Sequence, residues 1–231
     1  MNIVVTGASS GIGKEVVLRF SSIPENRIVA ASRNFEALKA LSEASENANI
    51  TPVHFDITGG RNAVRELRKR TEQDFNKIDI IVNCAGLLVN KPFEEISDDE
   101  IDSLITVNFT GIASVIRELL PSLGKGSHVV NISSMGGYQG SAKYPGLSFY
   151  SAAKGALAIL TECLASEYAE RGIVFNCLCP GAVDTEMFKL AFPGKVAPVS
   201  ARDMAGFICE FAISGVRLFN GRILPVALST P

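Results

Sequence analysis

The chain has 231 residues, of which 47% are hydrophobic and 20% charged, a balance typical of a soluble globular protein with a substantial core. Its formal net charge of −2 at pH 7 argues against a protein that binds nucleic acid or an anionic membrane surface. Met1 leads directly into a strand-like segment and no apolar run is long enough to span a bilayer, so we expect a cytoplasmic protein.

Strand-like apolar runs alternate with helix-like segments along the chain. The pattern predicts strands near residues 2–6, 27–32, 51–55, 78–83, 127–132, 173–178 and 222–227. It predicts helices near residues 11–22, 34–45, 60–75, 97–121, 149–171 and 200–213. This alternation predicts one α/β domain over residues 1–231, a Rossmann-type doubly wound parallel sheet of about seven strands with helices on both faces.

The first strand ends in a glycine-rich turn, Thr6-Gly7-Ala8-Ser9-Ser10-Gly11-Ile12-Gly13, which leads into a helix. Glycines there let the backbone turn tightly and approach a pyrophosphate, while the helix N-terminus offers free N–H donors and a positive dipole end. An ordinary tight turn is the alternative, but three glycines at one strand–turn–helix junction favour dinucleotide binding.

The end of the second strand, Ser32-Arg33-Asn34, carries no acidic residue. A carboxylate at this point of a dinucleotide-binding fold takes the ribose hydroxyls of NAD, whereas a guanidinium suits the 2′-phosphate of NADP. We therefore predict NADP(H) in preference to NAD(H), with Lys14 as a second candidate cation. A solvated loop arginine is the alternative interpretation of Arg33.

Five cysteines occur in the chain, without a CxxC pair or a zinc-like spacing: Cys84, Cys163, Cys177, Cys179 and Cys209. This odd number predicts reduced core thiols in a cytosolic protein and no metal site.

Ser97 and Glu100 are placed to form a capping box at the start of the predicted helix near 97–121. The stretches 133–148 and 180–199 follow strands, so we expect them to form active-site loops.

The segment Tyr150-Ser151-Ala152-Ala153-Lys154 opens a predicted helix. Residues four apart on a helix lie on the same face, so the phenol and the ammonium should point into the same space. A nearby cation favours the anionic form of an acid, so Lys154 should ease the deprotonation of Tyr150 and let it exchange a proton near neutral pH. Taken alone, such a pair is more commonly found on a solvated helix face.

Several motifs in order along the chain resemble the short-chain dehydrogenase/reductase family, in its single-domain branch. They are TGxxxGxG at residues 6–13, Asn83-Cys84-Ala85-Gly86, Asn108 in Val107-Asn108-Phe109, Asn131-Ile132-Ser133-Ser134, Tyr150 with Lys154, and Pro180-Gly181 followed by Thr185. The resemblance implies an oxidoreductase that transfers a hydride between a nicotinamide cofactor and a carbonyl compound or secondary alcohol. Combined with Arg33, it predicts an NADP(H)-dependent enzyme.

The resemblance also implies roles for individual residues. Tyr150 would be the general acid in reduction and the base in oxidation, and Lys154 would bind the nicotinamide ribose and favour the tyrosinate. Ser134 would hydrogen-bond the substrate oxygen, and Asn108 would hold a water that links Lys154 to solvent. The residues expected to contact the cofactor are Thr6, Gly7, Ser9, Ser10, Gly11, Ile12, Gly13, Arg33, Asp56, Ile57, Asn83, Ala85, Gly86, Tyr150, Lys154, Pro180, Gly181, Val183 and Thr185.

Asp56 has two interpretations: a carboxylate on the adenine amino group, as the resemblance implies, and an N-cap for the next helix. Two features depart from the family pattern. Tyr150 lies 16 positions after Ser134, which is longer than the family norm, and Ser133 is the less favoured alternative to Ser134 because neighbouring strand residues point to opposite faces. The usual Asp-Gly-Gly near the last strand is also missing.

The predicted pocket walls are Leu87–Val89, Met135–Leu147 and Met187–Phe192, with residues 185–199 as a mobile lid. These segments carry few charges, so we expect a small or medium carbonyl compound with apolar parts. The resemblance implies a homodimer or homotetramer joined through the helices near 97–121 and 149–171. A non-catalytic NADP(H)-binding regulator and a purely structural module of the same fold are the alternative functions.

Overall fold

A computed structural model describes residues 1–228 of the chain. Its strands are β1 Asn2–Thr6, β2 Arg27–Ser32, β3 Ile50–His54, β4 Ile78–Asn83, β5 Leu123–Ile132, β6 Val174–Pro180, β7 Val183–Asp184, β8 Val199–Ser200 and β9 Arg222–Val226. Seven of them form one parallel sheet in the order β3-β2-β1-β4-β5-β6-β9, and β7 pairs separately with β8. The predicted seven-stranded doubly wound sheet is confirmed.

Helices cover both faces of this sheet. They are α1 Gly11–Ser21, α2 Phe35–Glu43, α3 Gly60–Asp74, α4 Asp98–Ile105, α5 Gly111–Leu119, α6 Ser148–Glu167, α7 Glu186–Ala191 and α8 Ala201–Ser214. One core layer includes residues of α1, α2 and α8, and the other includes residues of α3, α5 and α6. The two layers explain why Ile3, Val4 and Val5 of the central strand β1 are all completely buried.

The predicted helix near 97–121 is interrupted by a π-helical turn at Thr106–Thr110, between α4 and α5. Ser97 caps α4 in the predicted capping box with Glu100. The chain is closely packed where the π turn ends, because a Cβ on Gly111 would lie 2.6 Å from Ile57 Cγ1 and 2.8 Å from the Thr106 carbonyl oxygen. The π turn contains Asn108, one of the predicted site residues, and π turns often occur at functional sites.

Other boundaries differ from the sequence prediction. β5 begins at Leu123 instead of near residue 127, and β6 continues to Pro180. α6 ends at Glu167, four residues early, because the chain turns through Arg171 and Gly172, whose φ is +66°. The short helix α7, the strand β7 and the first residue of β8 lie within the stretch 180–199, where the sequence predicted only a loop. Periodicity cannot detect elements this short.

By length and composition alone, one helical run, Asp98–Ser122, could cross a membrane. Its residues Ile112, Val115, Ile116 and Leu119 are buried against the sheet, as in a core helix of a soluble protein.

The cysteine prediction needs one correction. Cys177, Cys179 and Cys209 are buried, but Cys163 is exposed on the outer face of α6. Its position on the helix faces away from the apolar stripe that packs on the sheet.

Candidate active site

A cavity of about 940 Å³ opens at the carboxyl ends of the sheet strands. This is the edge at which the strand order reverses, between β1 and β4, and where ligands of doubly wound sheets bind. Most of the predicted site residues line it: Gly7, Ser9, Ser10, Gly11, Ile12, Gly13, Arg33, Ile57, Ala85, Gly86, Ser134, Tyr150, Lys154, Pro180, Gly181, Val183 and Thr185. Four predicted residues are not part of the lining: Thr6, Asp56, Asn83 and Asn108.

The glycine turn requires its glycines. Gly7 has a φ of +67°, and a Cβ there would lie 2.6 Å from the backbone nitrogen of Ala85. A Cβ on Gly13 would overlap the carbonyl oxygen of Gly7. Because Gly7 and Gly13 have no side chains, β1, the start of α1 and the segment after β4 can approach one another closely. Ser10, the N-cap of α1, makes no side-chain capping bond, so the first N–H groups of this helix remain available at the cavity wall.

The segment after β6 crosses over this turn. Gly181 donates a backbone hydrogen bond of 3.0 Å to Val226, and a Cβ on Gly181 would lie 2.8 Å from the Cβ of Ala227. Thr185 then caps α7 through its side chain, which accepts from the backbone N–H of Phe188 at 3.2 Å. A Cβ on Gly11 would lie 3.3 Å from Thr185 Cγ2, so the start of α7 packs close to the glycine turn.

The end of β2 contributes Arg33 and Ser32. Arg33 is exposed and lines the cavity. Ser32 also lines it, although only 7% of the residue is exposed, and its hydroxyl has no hydrogen-bond partner among residues 1–228. Sequence reasoning did not select Ser32, although it noted the residue beside Arg33. Lys14, the second predicted cation, is exposed on α1 and does not line the cavity.

Asp56 bonds its own chain. Its carboxylate accepts from the Thr58 backbone N–H at 2.9 Å and from the Thr58 hydroxyl at 2.7 Å. Burial raises the pKa of Asp56, but these hydrogen bonds and the nearby Arg33 charge outweigh burial and lower the pKa overall. The predicted N-cap role is wrong, because the N-cap of α3 is Gly59. The adjacent Ile57 lines the cavity instead.

Thr6 and Asn83 belong to a buried chain of hydrogen bonds across the sheet. The Thr6 hydroxyl donates to Asn83 Oδ1 at 3.2 Å, and Asn83 Nδ2 donates to Asn131 Oδ1 at 2.9 Å. Asn131 Nδ2 then donates to the Thr161 hydroxyl at 2.9 Å. This chain connects β1, β4, β5 and α6, the elements that carry the site. The side chains of Thr6 and Asn83 therefore connect these elements without lining the cavity themselves.

Tyr150 and Lys154 lie side by side on the first turns of α6, with exposures of only 8% and 3%. The Lys154 ammonium lies 6.0 Å from the centroid of the Tyr150 ring. Burial lowers the pKa of Lys154 to about 8. Burial also raises the pKa of Tyr150, and a hydrogen-bonding contribution from Ser134 opposes this rise. The pKa of Tyr150 is raised and Lys154 is not among the causes of the shift, so the predicted easing of deprotonation by Lys154 does not occur in this structure. Like an ordinary tyrosine, Tyr150 is protonated at neutral pH.

The two serines after β5 have different surroundings. Ser133 donates from its hydroxyl to the Lys154 backbone carbonyl oxygen at 2.8 Å, which ties the strand end to α6. Ser134 accepts from the Gly136 backbone N–H at 3.1 Å and is near enough to Tyr150 to influence its pKa. The turn after Ser134 packs directly on α6, because a Cβ on Gly137 would lie 2.6 Å from the carbonyl carbon of Lys154.

Asn108 is completely buried, and the backbone engages both Nδ2 donors and one of the two acceptor positions of Oδ1. Its Nδ2 donates to Leu87 O at 2.8 Å and to Leu104 O at 2.9 Å, and its Oδ1 accepts from Leu87 N at 3.1 Å. A Cβ on Gly86 would lie 3.5 Å from this Oδ1 and 3.7 Å from Lys154 Nζ, so Gly86 leaves a narrow space between the two groups. Asn108 thus orients the segment that follows β4.

The other end of the cavity is largely apolar. Its lining includes Leu88, Met135, Tyr144, Leu147, Met187, Phe188 and Phe192. The rings of Phe188 and Phe192 lie 5.2 Å apart, and both belong to the segment around α7. Tyr138, which was expected to line the pocket, packs instead against the small core cluster that contains Cys177 and Cys179.

A family model for short chain dehydrogenases matches residues 1–195. The chain belongs to the short-chain dehydrogenase/reductase family. An uncharacterized oxidoreductase of Staphylococcus aureus strain MW2 is 31% identical over 204 residues, which cover 87% of this chain and 86% of that protein. A 3beta-hydroxysteroid dehydrogenase of Mediterraneibacter gnavus is 33% identical over 188 residues, which cover 80% of this chain and 66% of that protein.

Several solved structures superpose closely on this chain. A dehydrogenase/reductase from Sinorhizobium meliloti is 27% identical with a TM-score of 0.86, covering 98% of this chain and 93% of its own. A Burkholderia cenocepacia short chain dehydrogenase in complex with NADP is 25% identical with a TM-score of 0.87, covering 97% and 95%. A Brucella melitensis 3-ketoacyl-(acyl-carrier-protein) reductase complexed with NADH is 24% identical with a TM-score of 0.84, covering 98% and 96%, and shows a likeness of fold alone.

Proposed function

We propose that this protein is an NADP(H)-dependent oxidoreductase that interconverts a carbonyl compound and a secondary alcohol, with Tyr150 as the general acid and base. The observation that carries the proposal is the burial of Tyr150 and Lys154 side by side, in a cavity that is also lined by the glycine turn. A proton-transfer group and a dinucleotide cradle in one cavity match the requirements of hydride transfer.

The residues present fit a dinucleotide. The glycines of the turn leave room for a pyrophosphate to approach the backbone, and the N–H groups at the start of α1, which no side chain caps, can donate to it. The cavity extends from there past Ile57 and Arg33 on one side and past Tyr150, Lys154 and Gly181 on the other. When bound, the nicotinamide supplies the hydride donor or acceptor.

The preference for NADP(H) rests on this chain's own residues, because solved relatives contain either NADP or NADH. Arg33 supplies a guanidinium at the end of β2, and the buried Ser32 hydroxyl beside it has no partner among the described residues. A phosphate oxygen would satisfy this hydroxyl and pair with the guanidinium. Asp56 is near enough to Arg33 to be influenced by its charge, but it is held by Thr58.

The protonation states favour proton donation at neutral pH. An ordinary tyrosine is protonated at neutral pH, and burial raises the pKa of Tyr150 further, so the phenol can deliver its proton to an oxygen on which negative charge develops. Lys154, with a pKa of about 8, remains mainly protonated and stabilises the tyrosinate that results. The arrangement is therefore suited to carbonyl reduction at neutral pH.

Ser134 and Asn108 support this chemistry in different ways. The Ser134 hydroxyl, beside Tyr150, would donate a hydrogen bond to the substrate oxygen. Asn108 presents Oδ1 to the narrow space at Gly86 that Lys154 Nζ also borders. We propose that a water in this space connects Lys154 with Asn108, as the first step of a proton path.

The apolar end of the cavity, formed by residues such as Leu147, Met187 and Phe192, is proposed to bind the hydrocarbon part of the substrate. The 3beta-hydroxysteroid dehydrogenase among the relatives makes rigid apolar secondary alcohols a sensible first group to screen. We propose a cytoplasmic homodimer or homotetramer joined through the helical run α4–α5 and through α6. Phe93, which stacks on Phe149, and Ile159 are largely exposed and would be covered in that assembly.

The test is a fluorescence titration with NADPH and NADH, followed by a screen of ketones and aldehydes for loss of NADPH absorbance. Tighter binding of NADPH and turnover of at least one apolar ketone are the expected results. Tighter binding of NADH would contradict the cofactor assignment. Binding of NADPH without turnover of any compound, in either direction, would favour the alternative of a non-catalytic regulator.

A further inference from the structure

The lid, taken as Glu186–Pro198 within the predicted range 185–199, includes α7 and lines the apolar end of the cavity. It has few attachments to the rest of the protein. Its N-terminal end is held by the β7–β8 pair and by the contact of Thr185 with the glycine turn. The salt bridge of Lys189 goes to Asp184, which lies two residues before the lid. Among residues 1–228, a single hydrogen bond connects the lid to a residue outside 183–200. It runs from Asn90 Nδ2 to the carbonyl oxygen of Ala191, at 2.8 Å.

The acceptor is a group that needs a partner. Ala191 is the last residue of α7, and the final carbonyl groups of a helix have no partner within the helix. Asn90 thus satisfies the C-terminal end of α7, opposite the end that Thr185 caps. The two ends of α7 are thus held by different residues, Thr185 at the start and Asn90 at the end.

The Asn90 side chain is exposed to solvent, but contacts with neighbouring residues restrict its position. Gly146 has a φ of +84°, and a Cβ there would overlap Asn90 Oδ1, so the side chain lies flat against the α-carbon of Gly146. The next residue, Lys91, donates its backbone N–H to Gly146 O at 3.1 Å, and its ammonium pairs with Glu100 on α4. Asn90 belongs to the segment that follows β4. Near the start of that segment, Leu87 makes two hydrogen bonds with the side chain of Asn108.

We propose that Asn90 is a positioning residue that holds the lid closed over the substrate end of the cavity. It does so by joining the segment after β4, the loop at Gly146 and the C-terminus of α7 at one point. Because Met187, Phe188 and Phe192 belong to the lid and line the cavity, Asn90 determines how tightly an apolar substrate is enclosed. This consequence for substrate rests on the proposed function, whereas the anchoring of the lid does not.

The lid contains two trypsin sites, after Lys189 and after Lys195, and both residues are exposed. Cleavage at these bonds reports the population of open lid when opening is fast relative to cleavage. Asn90→Asp keeps the shape that fits against Gly146 but replaces the amide donor with an oxygen that repels the Ala191 carbonyl. Loss of this hydrogen bond should increase cleavage at the two lid bonds roughly tenfold.

Asn47→Asp is the matched control. Asn47 Nδ2 also donates to a backbone carbonyl oxygen, that of Ser21, at 2.8 Å, but it lies far from the lid in the loop after α2. Gly146→Ala is a second variant, because its Cβ would displace the Asn90 side chain. Gly146→Ala should open the lid as Asn90→Asp does. Cleavage of the double variant should be little faster than that of either single variant, because both substitutions remove the same Asn90–Ala191 hydrogen bond.

The experiment compares tryptic fragments of the full-length parent, Asn90→Asp, Asn47→Asp and Gly146→Ala without cofactor, with cleavage outside 186–198 as the internal reference. Selective acceleration at Lys189 and Lys195 in Asn90→Asp and Gly146→Ala supports the proposal. Parental cleavage of the lid in Asn90→Asp, or equal acceleration at all sites, overturns it. With a substrate from the ketone screen, Asn90→Asp should raise KM several-fold with a smaller change in kcat. A parent protein that binds no NADPH would refute the proposed function and leave the proteolysis result standing.

Discussion

The Lys154 ammonium donates a 2.9 Å hydrogen bond to the backbone carbonyl oxygen of Ile132, the last residue of β5. The backbone of the same lysine accepts a hydrogen bond from Ser133, so helix and strand are connected in both directions. One of the three ammonium donors is used by Ile132. The others remain available on the side of Tyr150 and Gly86, where the cavity lies.

The first prediction concerns the phenol. Tyr150→Phe removes only the hydroxyl from a buried ring, so NADPH affinity should stay within about twofold while turnover falls by roughly 10²- to 10⁴-fold. Tyr144→Phe is the matched control, because Tyr144 lines the same cavity but lies on the loop before α6. Steady-state kinetics and NADPH fluorescence measure both quantities. If Tyr150→Phe keeps its turnover, Tyr150 is not the proton donor.

The second prediction concerns cofactor choice. Arg33→Ala should weaken NADPH binding by about 10- to 100-fold and leave NADH binding nearly unchanged, because only NADPH carries the 2′-phosphate. Ser32→Ala should act in the same direction with a smaller effect. Arg202→Ala removes an exposed arginine on α8 and should change neither affinity. Equal losses for both cofactors in Arg33→Ala would mean that Arg33 does not contact the phosphate.

The third prediction follows from the lowered pKa of Lys154, which is about 8 in the folded protein against 10.5 for an ordinary lysine. Between these values the unfolded chain binds more protons than the folded one, so folding stability rises with pH. Relative to Lys154→Met, the parent should therefore gain up to about 3 kcal/mol of unfolding free energy from pH 8 to 10.5. Urea denaturation at several pH values measures the gain.

Lys14→Met is the control for that series, because Lys14 is exposed on α1. Its stability should change with pH in parallel with that of the parent. A constant difference between the parent and Lys154→Met across this pH range would show that burial does not lower the pKa of Lys154. The rate of carbonyl reduction should fall above about pH 8, as the charge on Lys154 is lost.

The fourth prediction tests the glycine turn with two alanine substitutions in helices. Gly13→Ala places a Cβ against Gly7 O, so the turn must shift and NADPH binding should weaken by at least about tenfold. Gly206→Ala on α8 meets no atom within 4 Å and should stabilise the protein by up to about 1 kcal/mol through helix propensity. Titration and thermal unfolding distinguish the two effects. Unchanged NADPH affinity in Gly13→Ala would show that the shape of the turn does not govern binding.

The fold could be predicted from local patterns. Buried parallel strands such as Ile78–Asn83 are apolar on both faces, and the helices between them carry one apolar face, so their alternation is visible in the sequence. The Ser97–Glu100 capping box is also a local signal, because both partners lie within one helical turn. The π turn around Asn108 is not visible in the local sequence. The contacts found there, of Gly111 with Ile57 and of Asn108 with Leu87, join residues that are distant along the chain.

The candidate site was predictable where adjacent residues define it. The glycine turn and the Tyr150–Lys154 pair are short motifs, and the structure brings both to one cavity. The N-cap interpretation of Asp56 is wrong, because Gly59 is the N-cap of α3 and Asp56 bonds Thr58 instead. Its contact with the adenine stays a prediction. The Asn90–Ala191 bond joins residues 101 positions apart and gave no sequence signal.

By itself, the sequence determined the order of strands and helices, the glycine turn and the four-residue spacing of Tyr150 and Lys154, because each depends on neighbours along the chain. Only the tertiary structure decided which polar groups are buried. Burial raises the pKa of Tyr150 and lowers the pKa of Lys154, and it leaves the Ser32 hydroxyl without a partner in the described part of the chain. The reason is physical: the cost of a charge or an unpaired hydroxyl depends on the surrounding atoms, and distant segments supply them.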